Sequence, residues 1–351
     1  MSDSPGAALR NFLAQMAVDP GAFARYVADA DAAATEADLP PHDRAALFSG
    51  DQNRMYAALA HGRLVSAEAP RPADIAAAGV NDEDLIVVGT GIRAIGQLTG
   101  ETIGWIRLAD IVLYVSADPV AEAAIRMLNP RGAESLMRCY GENKLRAETY
   151  REIVEITMAH VRAGRRTCLA VYGHPGVLTV PTHDVIRRAR AEGFKARMLP
   201  AISAADCLFA DLGVDQVGGC ASYEATDFLL NVRAVDPAAH LILWQIGGLA
   251  DPTYKRHQYD IRGLAPLAGK LMRHFGPQHT VFLYEAAMFP GVEPLVRSGP
   301  LALLPHGAPT PNSTLYVPPL CHPQPDPAIR AHVGGWGHAM NRSVHRTGPH
   351  A

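Results

Sequence analysis

TCLAVYGHPGVL, residues 167–178, sets two habits side by side. Its first half is a continuous apolar run, the pattern of a strand covered on both faces. Its second half crowds Gly173, Pro175 and Gly176 into a turn. A turn of unusual backbone at a strand's carboxyl end is the place where open α/β sheets bind ligands. A rigid turn with no ligand is the plainer explanation. Tyr172 and His174, polar-tipped residues at that edge, favour the functional one.

Similar apolar runs lie on both sides. They are LIVVG (85–89), DIVLYVS (110–116), ARMLP (196–200), LILWQI (241–246), TVFLYEA (280–286) and STLYVPP (313–319). Helical stretches separate most of them, which indicates α/β layering with buried sheets. The chain before them differs. Leu9, Phe12, Leu13 and Met16 fall on one face of a helix, and Asp19-Pro20 supplies an N-cap and a first-turn proline. Phe23, Tyr26, Val27 and Ala30 repeat the stripe, and DLPPHDRAALFSGDQNRMYAAL adds two short helices broken at Gly50-Asp51. These residues, 1–62, form a small helical domain with little core of its own, so it must dock on something. Residues 63–83, with Pro70 and Pro72, are the linker. Residues 84–320 are the α/β body. The tail, 321–351, is rich in His, Pro and Gly without periodicity and is expected to be flexible.

Composition narrows the function. The 351 residues are 48% hydrophobic and carry a formal charge of −3 with no basic block, so neither nucleic acid nor an anionic membrane is an expected partner. The first residues lack the basic and apolar segments of a signal peptide, which points to a cytoplasmic protein. Five scattered cysteines form no CxxC pair, and fifteen histidines fall in no HExxH or zinc-knuckle spacing, so no metal is expected.

Three motifs hold candidate chemistry. In VVGTGIRAIGQLT, Gly89, Gly91 and Ala94 imitate a dinucleotide fingerprint, but Asp118 comes too late to bind a ribose. The glycines still imply a tight strand-to-helix turn. In MLPAISAADCLFADLG, Ser203 and Asp206 have capping-box spacing, and a helix start beside a strand end can also face a ligand. In CYGENKLRAETY (139–150), Arg146 and Tyr150 share a helix face at i, i+4. Tyr140 precedes that helix, behind Gly141, where the chain can fold back. Taken alone, an Arg–Tyr pair of this kind is ordinarily a solvated surface pair.

Together the segments GTGIxxIGQ, CYGxxKxR followed by TY, VYGHPGV, ARMLPxISAxDCLFADLG, YEATDFL, LWQIG and STLYVPP carry a resemblance. In order, over residues 84–320, they are similar to the borosin-type peptide α-N-methyltransferases of the tetrapyrrole methylase superfamily. The helical domain, through LAQMAVDPGAFARYVAD and DRAALFSGD, resembles the helical clasp or borosin-binding domain of the same systems. It also resembles small accessory subunits of ring-opening dioxygenases. The resemblance implies a two-lobed α/β fold with S-adenosylmethionine bound between the lobes. It implies a homodimer and no metal. It places Tyr140, Arg146 and Tyr150 in the catalytic network, with Tyr172 at the junction of substrate and cofactor. It puts Gly173, His174, Val177, Ser203, Ala204, Gln245, Ala287 and Thr314 around the cofactor.

The chemistry suits that set. An amide nitrogen is a poor nucleophile because its lone pair is delocalised into the carbonyl. A phenol beside a guanidinium is expected to ionise more easily, and a second phenol can donate to the amide oxygen. The expected activity is therefore backbone N-methylation of a ribosomally made peptide. A helical domain placed first and a polar tail favour a precursor peptide acting in trans over the chain's own tail. A small-molecule methylase of tetrapyrrole type and a non-catalytic peptide-binding homologue are the alternatives.

Overall fold

The computed structural model describes residues 7–49, 52–59, 82–116, 118–256, 259–288 and 292–333. Most of the linker, residues 63–81, and the end of the tail, 334–351, lie outside the described residues. No described helix is long and apolar enough to cross a membrane. The chain divides into two compact units, Met1–Met137 with Glu152–Ala201, and Arg138–Arg151 with Ile202–Ala351.

The first unit opens with five helices: α1 (Ala7–Val18), α2 (Pro20–Ala28), α3 (Ala30–Glu36), α4 (Pro41–Leu47) and α5 (Gln52–Leu59). Asp19 caps α2 as the sequence leads one to expect, accepting the Gly21 N–H at 2.8 Å. Leu9, Phe12, Leu13 and Met16 enter the small core that these helices share. A groove of about 240 Å³ in this domain is lined by Phe12, Gln15, Met16, Arg25 and Glu36, among others.

A five-stranded parallel sheet follows, built from β1 (Leu85–Gly89), α6 (Ala94–Gln97), α7 (Gly100–Leu108), β2 (Ile111–Val115), α8 (Pro119–Leu128), β3 (Ala133–Ser135), α9 (Arg146–Arg162), β4 (Thr167–Val171), α10 (Val180–Ala191) and β5 (Ala196–Met198). Helix α9 belongs to the second unit as far as Arg151. The strand order is β3-β2-β4-β1-β5, with Leu85 opposite Thr167 and Gly89 opposite Val171. The chain moves one way from β1 to β2 and β3, then returns to place β4 beside β1 and β5 beyond it. The carboxyl ends of β1 and β4 therefore meet where the winding reverses, the usual ligand position of such sheets.

The helical domain docks on this sheet's helix layer. Phe23 and Val27 join the core formed by Trp105, Ile106 and Ile125 with Ile86, Val88, Val112 and Tyr114. The fit depends on two small residues of α7. A methyl group at Gly100 would lie 2.8 Å from the Phe23 ring, and one at Gly104 would lie 2.5 Å from Val27 Cβ. A glycine spacing of four residues lets two helices approach this closely because both sit on one face.

The second unit holds α11 (Ala204–Leu212), β6 (Cys220–Glu224), α12 (Ala225–Leu230), β7 (His240–Trp244), α13 (Leu264–Phe275), β8 (Thr280–Glu285), β9 (Leu295–Pro300), β10 (Thr314–Val317) and an exposed α14 (Pro327–Val333). Its sheet has the order β6-β7-β10-β8-β9. Only β6 and β7 run parallel; β10 lies antiparallel between β7 and β8. Alternation decides the two faces. Leu241, Leu243, Leu283, Leu315 and Val317 pack on α12 and α13, while Ile242, Trp244, Tyr284 and Tyr316 pack on α11. Lys270 of α13 secures α12 from the side, donating to the carbonyls of Leu229 at 3.2 Å and Asn231 at 2.6 Å.

Gly104→Ala tests the docking of the helical domain. On an exposed helix that change stabilises by about 1 kcal/mol. Here the added methyl overlaps Val27, and a net loss of about 1–3 kcal/mol is expected in urea unfolding. Adding Val27→Ala should recover part of the loss; a gain in stability from Gly104→Ala alone would contradict the close contact.

Candidate functional site

The sequence-predicted residues fall into two sets. Tyr172, Gly173, His174 and Val177 belong to the first unit; Tyr140, Arg146, Tyr150, Ser203, Ala204, Gln245, Ala287 and Thr314 belong to the second.

In the first unit the two glycine turns meet. Gly173 N donates to Gly91 O at 3.0 Å, and a Cβ on Gly89 would fall 2.1 Å from Gly173 O. No side chain fits at Gly89, so its close-approach signal was real. The turn after Gly173 is locked from within. Gly176 N donates to His174 Nδ1 at 2.9 Å, and the Thr182 hydroxyl donates to Pro175 O at 2.5 Å. Because Nδ1 accepts, the proton of a neutral His174 sits on Nε2. Tyr172 stands exposed at 39%, with its N–H on Val115 O at 3.2 Å. Asp118, the acid placed wrongly for a dinucleotide, caps α8 by accepting the Val120 N–H at 2.9 Å.

In the second unit, Gln245, Thr314 and Ala287 share one end of the sheet. Gln245 follows β7, Ala287 follows β8, and Thr314 opens the antiparallel strand between them. Ala204 packs against the buried cluster that holds Trp244 and Tyr284. Ser203 forms the full capping box with Asp206 and donates its hydroxyl to that carboxylate at 2.7 Å. Its side chain is therefore engaged by the helix. The five positions carry no charged side chain and much main chain. Such a surface suits a flat heterocycle without phosphate, as in a nucleoside-based methyl donor. Among the described residues, no group of three or more His, Cys, Asp or Glu could hold a metal ion.

Tyr140, Arg146 and Tyr150 gather nearby in the same unit. The chain folds back at Gly141, with Lys144 N donating to Gly141 O at 3.0 Å. Arg146 then opens α9. The turn is stitched to a later loop: Asn143 N to Tyr254 O and Tyr254 N to Lys144 O, both at 2.9 Å, and Arg146 N to Pro252 O at 3.0 Å. That loop adds residues that the sequence reasoning missed. The Tyr254 ring lies 5.0 Å from the Tyr140 ring. The Arg146 guanidinium lies 5.3 Å over the ring of Tyr259. A methyl group on Gly248 would come within 3.1 Å of Arg146 Nη2, and the Gly248 N–H bonds to Gln245 O at 3.0 Å. Gly248 thus stands between the arginine and the turn that begins at the predicted cofactor position Gln245. The available signal was DPTYKRHQYD (251–260), two more tyrosines beside basic residues, starting three positions after the end of LWQIGG (243–248).

The phenols differ from expectation. Burial pushes the Tyr140 hydroxyl above its ordinary value; a charge on Tyr150 adds to this, and Arg146 opposes it. Burial likewise raises Tyr150, again against Arg146. The guanidinium acts in the anticipated direction, yet desolvation outweighs it. Both tyrosines are therefore neutral at pH 7. At Asp251, burial is outweighed by hydrogen bonds from Thr253 and by the charges of Lys255 and Arg146, which hold the carboxyl below its usual range.

This ordering predicts the alkaline behaviour. A free tyrosine ionises near pH 10. Tyr140 and Tyr150 should ionise above that in the folded chain, followed as phenolate absorbance. The folded state then keeps protons that the unfolded state loses, so stability falls as pH rises past about 10. Arg146→Met should drive the phenolate onset of the folded protein further up; a downward shift would contradict the assignment.

The Tetrapyrrole (Corrin/Porphyrin) Methylases family matches residues 84–296. Several fungal proteins are similar in sequence. The methyltransferase/ribosomally synthesized type I borosin cyclic peptide precursor of Coprinopsis marcescibilis is 41% identical over 242 residues, 67% of this chain and 62% of that one. The dendrothelin A precursor of Dendrothele bispora (strain CBS 962.96) is 40% identical over 67% of this chain and 57% of its own. The omphalotin A precursor of Omphalotus olearius is 38% identical over the same shares, 67% and 57%. The chain thus spans about three fifths of the length of these relatives. Among solved structures, a cobalt precorrin-4 methyltransferase of cobalamin biosynthesis has a TM-score of 0.51 at 11% identity, covering 67% of this chain and 94% of that one. The methyltransferase CobJ has a TM-score of 0.50 at 14% identity, covering 69% and 97%. These two share the fold. With the family match covering more than half of its length, the chain belongs to the tetrapyrrole (corrin/porphyrin) methylases.

Proposed function

We propose that the chain methylates backbone amide nitrogens of a ribosomally made peptide, with S-adenosylmethionine as methyl donor. The observation that carries this reading is the meeting of Arg146 with Tyr140 and Tyr150 beside the turn that follows Gln245. The names of the relatives at 38–41% identity, methyltransferases joined to cyclic peptide precursors, support a peptide substrate. The small-molecule methyltransferases are alike in fold alone, at 11–14% identity.

Ser203, Ala204, Gln245, Ala287 and Thr314 would hold the donor in the second unit, largely through main chain. Gly173, His174 and Val177 are assigned by the resemblance, at the strand ends of the first unit, and Tyr172 with them. When bound, the donor supplies a methyl group made electrophilic by a positively charged sulfur.

The protein's own part is to make the amide reactive. A neutral phenol donates its O–H to the peptide carbonyl oxygen, and Arg146 stabilises negative charge growing there. That shift weakens the amide N–H and frees the nitrogen lone pair. The N–H proton passes to the second phenol once it has ionised. Because burial raises its proton affinity, that phenolate is a stronger base than a free tyrosinate, and Arg146 beside it keeps the ion accessible. In the net exchange the amide hydrogen is replaced by methyl, and the proton leaves through the tyrosine. A site that excludes water strengthens every one of these interactions.

We further propose that the enzyme is a cytoplasmic homodimer acting on a peptide in trans. Intact-mass and fragment mass spectrometry tests both points of substrate, comparing the purified chain with the chain co-expressed with candidate precursor peptides. Increments of one methyl on peptide backbone nitrogens are expected. Methylation of a tetrapyrrole but of no peptide would replace this reading with the small-molecule one. Tyr150→Phe should lower methyl transfer about 10²-fold, the scale of one lost proton-transfer group, while donor binding by calorimetry persists; unchanged transfer would remove Tyr150 from the mechanism.

A further inference from the structure

Arg146 occupies an unfavourable place. It is the first residue of α9, and a helix N-terminus carries partial positive charge. The helix alone would push the guanidinium away toward solvent. Something outside the helix must hold it beside the phenols of Tyr140 and Tyr150.

Two contacts supply that hold. The guanidinium lies 5.3 Å over the Tyr259 ring, whose negative face attracts a cation. Tyr259 is itself only 6% exposed, and its hydroxyl accepts the Lys255 N–H at 3.0 Å. Residues 252–254 are in turn bonded through their main chain to residues 143–146. The ring is therefore tied to the same backbone that launches Arg146. On another side the guanidinium runs beside Gly248, where a side chain would stand 3.1 Å from Nη2.

We propose that Tyr259 and Gly248 are positioning residues that fix the Arg146 guanidinium beside Tyr140 and Tyr150 for amide methylation. The inference rests on the peptide-methylation reading for its purpose, but not for its geometry. Neither residue needs to touch the substrate. Tyr259 supplies a flat, rigid face, and Gly248 supplies the space in which the guanidinium lies. The charged and titratable groups around this arginine are Tyr140, Tyr150, Asp251, Lys255 and Tyr259, with Cys139 and Tyr254 against Tyr140. Asp251 offsets part of the positive charge, but its side chain is bound to Thr253, at 2.6 Å to Oγ1 and 2.9 Å to N.

The test compares Tyr259→Leu with Tyr259→Phe in the full chain. Both lack the Tyr259 phenol, so any difference between them reports the ring face. Phenolate absorbance is titrated without donor or peptide. In the Leu variant the remaining phenols should ionise at higher pH than in the Phe variant, in the direction given by Arg146→Met. In peptide methylation, Tyr259→Leu should lose about tenfold in kcat with little change in peptide KM, the scale of one desolvated cation–π contact. Tyr259→Phe should recover most of that loss. Should Tyr259→Leu not fold, Gly248→Ala, which keeps every tyrosine, carries the same test and should also move the phenolate onset upward.

Identical titrations for Leu and Phe, or an unmoved onset in Gly248→Ala, would overturn the proposal. A titration difference in a chain that methylates no peptide would leave the positioning intact and remove the functional reading instead.

Discussion

No side chain fits between the Cα of Gly89 and the carbonyl oxygen of Gly173. The first sheet depends on that contact. β1 and β4 are parallel neighbours in register over five residues, and at their carboxyl ends the winding of the chain reverses. Their exits would diverge if either carried bulk. Instead the two backbones touch, and the His-Pro-Gly turn is held where it begins. Thr182 then grips the Pro175 carbonyl, and Gly176 fixes the His174 tautomer. A small steric exclusion at one residue thus sets the position of every polar group at that strand end.

Much of this could be read from the sequence, for local reasons. Continuous apolar runs located β1, β2, β4, β7, β8 and β10, because strands buried on both faces leave no polar positions. The Asp19 and Ser203 caps were legible because a cap is a short-range bond. What escaped was non-local or weakly patterned. β3 has three partly buried residues and β9 is exposed along most of its length, so neither shows an apolar signature. The antiparallel course of β10 depends on which neighbours it finds, not on its own residues. Tyr254 and Tyr259 lie about a hundred residues beyond Arg146 and carry no periodicity that ties them to it. The sign of the tyrosine shift was equally hidden. A neighbouring cation is visible in a sequence at i, i+4, but the burial that opposes it is a property of the packed chain.

The second unit resolves a conflict at Arg146 in a similar way. Helix propensity and spacing place Arg146 and Tyr150 on one face, while the helix dipole works against a cation at that end. The loop at 251–256 answers through main-chain bonds that leave the Tyr259 ring and the Asp251 carboxylate near the charge. Main-chain bonds suit this purpose because they tolerate most side-chain changes.

Burial then sets the character of the chemistry. An exposed phenol beside an arginine would ionise easily and be a weak base. A buried one stays protonated, donates well, and yields a strong base only when it does ionise. An amide nitrogen asks for both services, since its oxygen must be stabilised as its proton departs. At Tyr140, burial raises the hydroxyl, a charge on Tyr150 adds to the rise, and Arg146 opposes it. Burial raises Tyr150 as well, against the same guanidinium. One arginine thus acts on both phenols, against the burial that keeps them protonated.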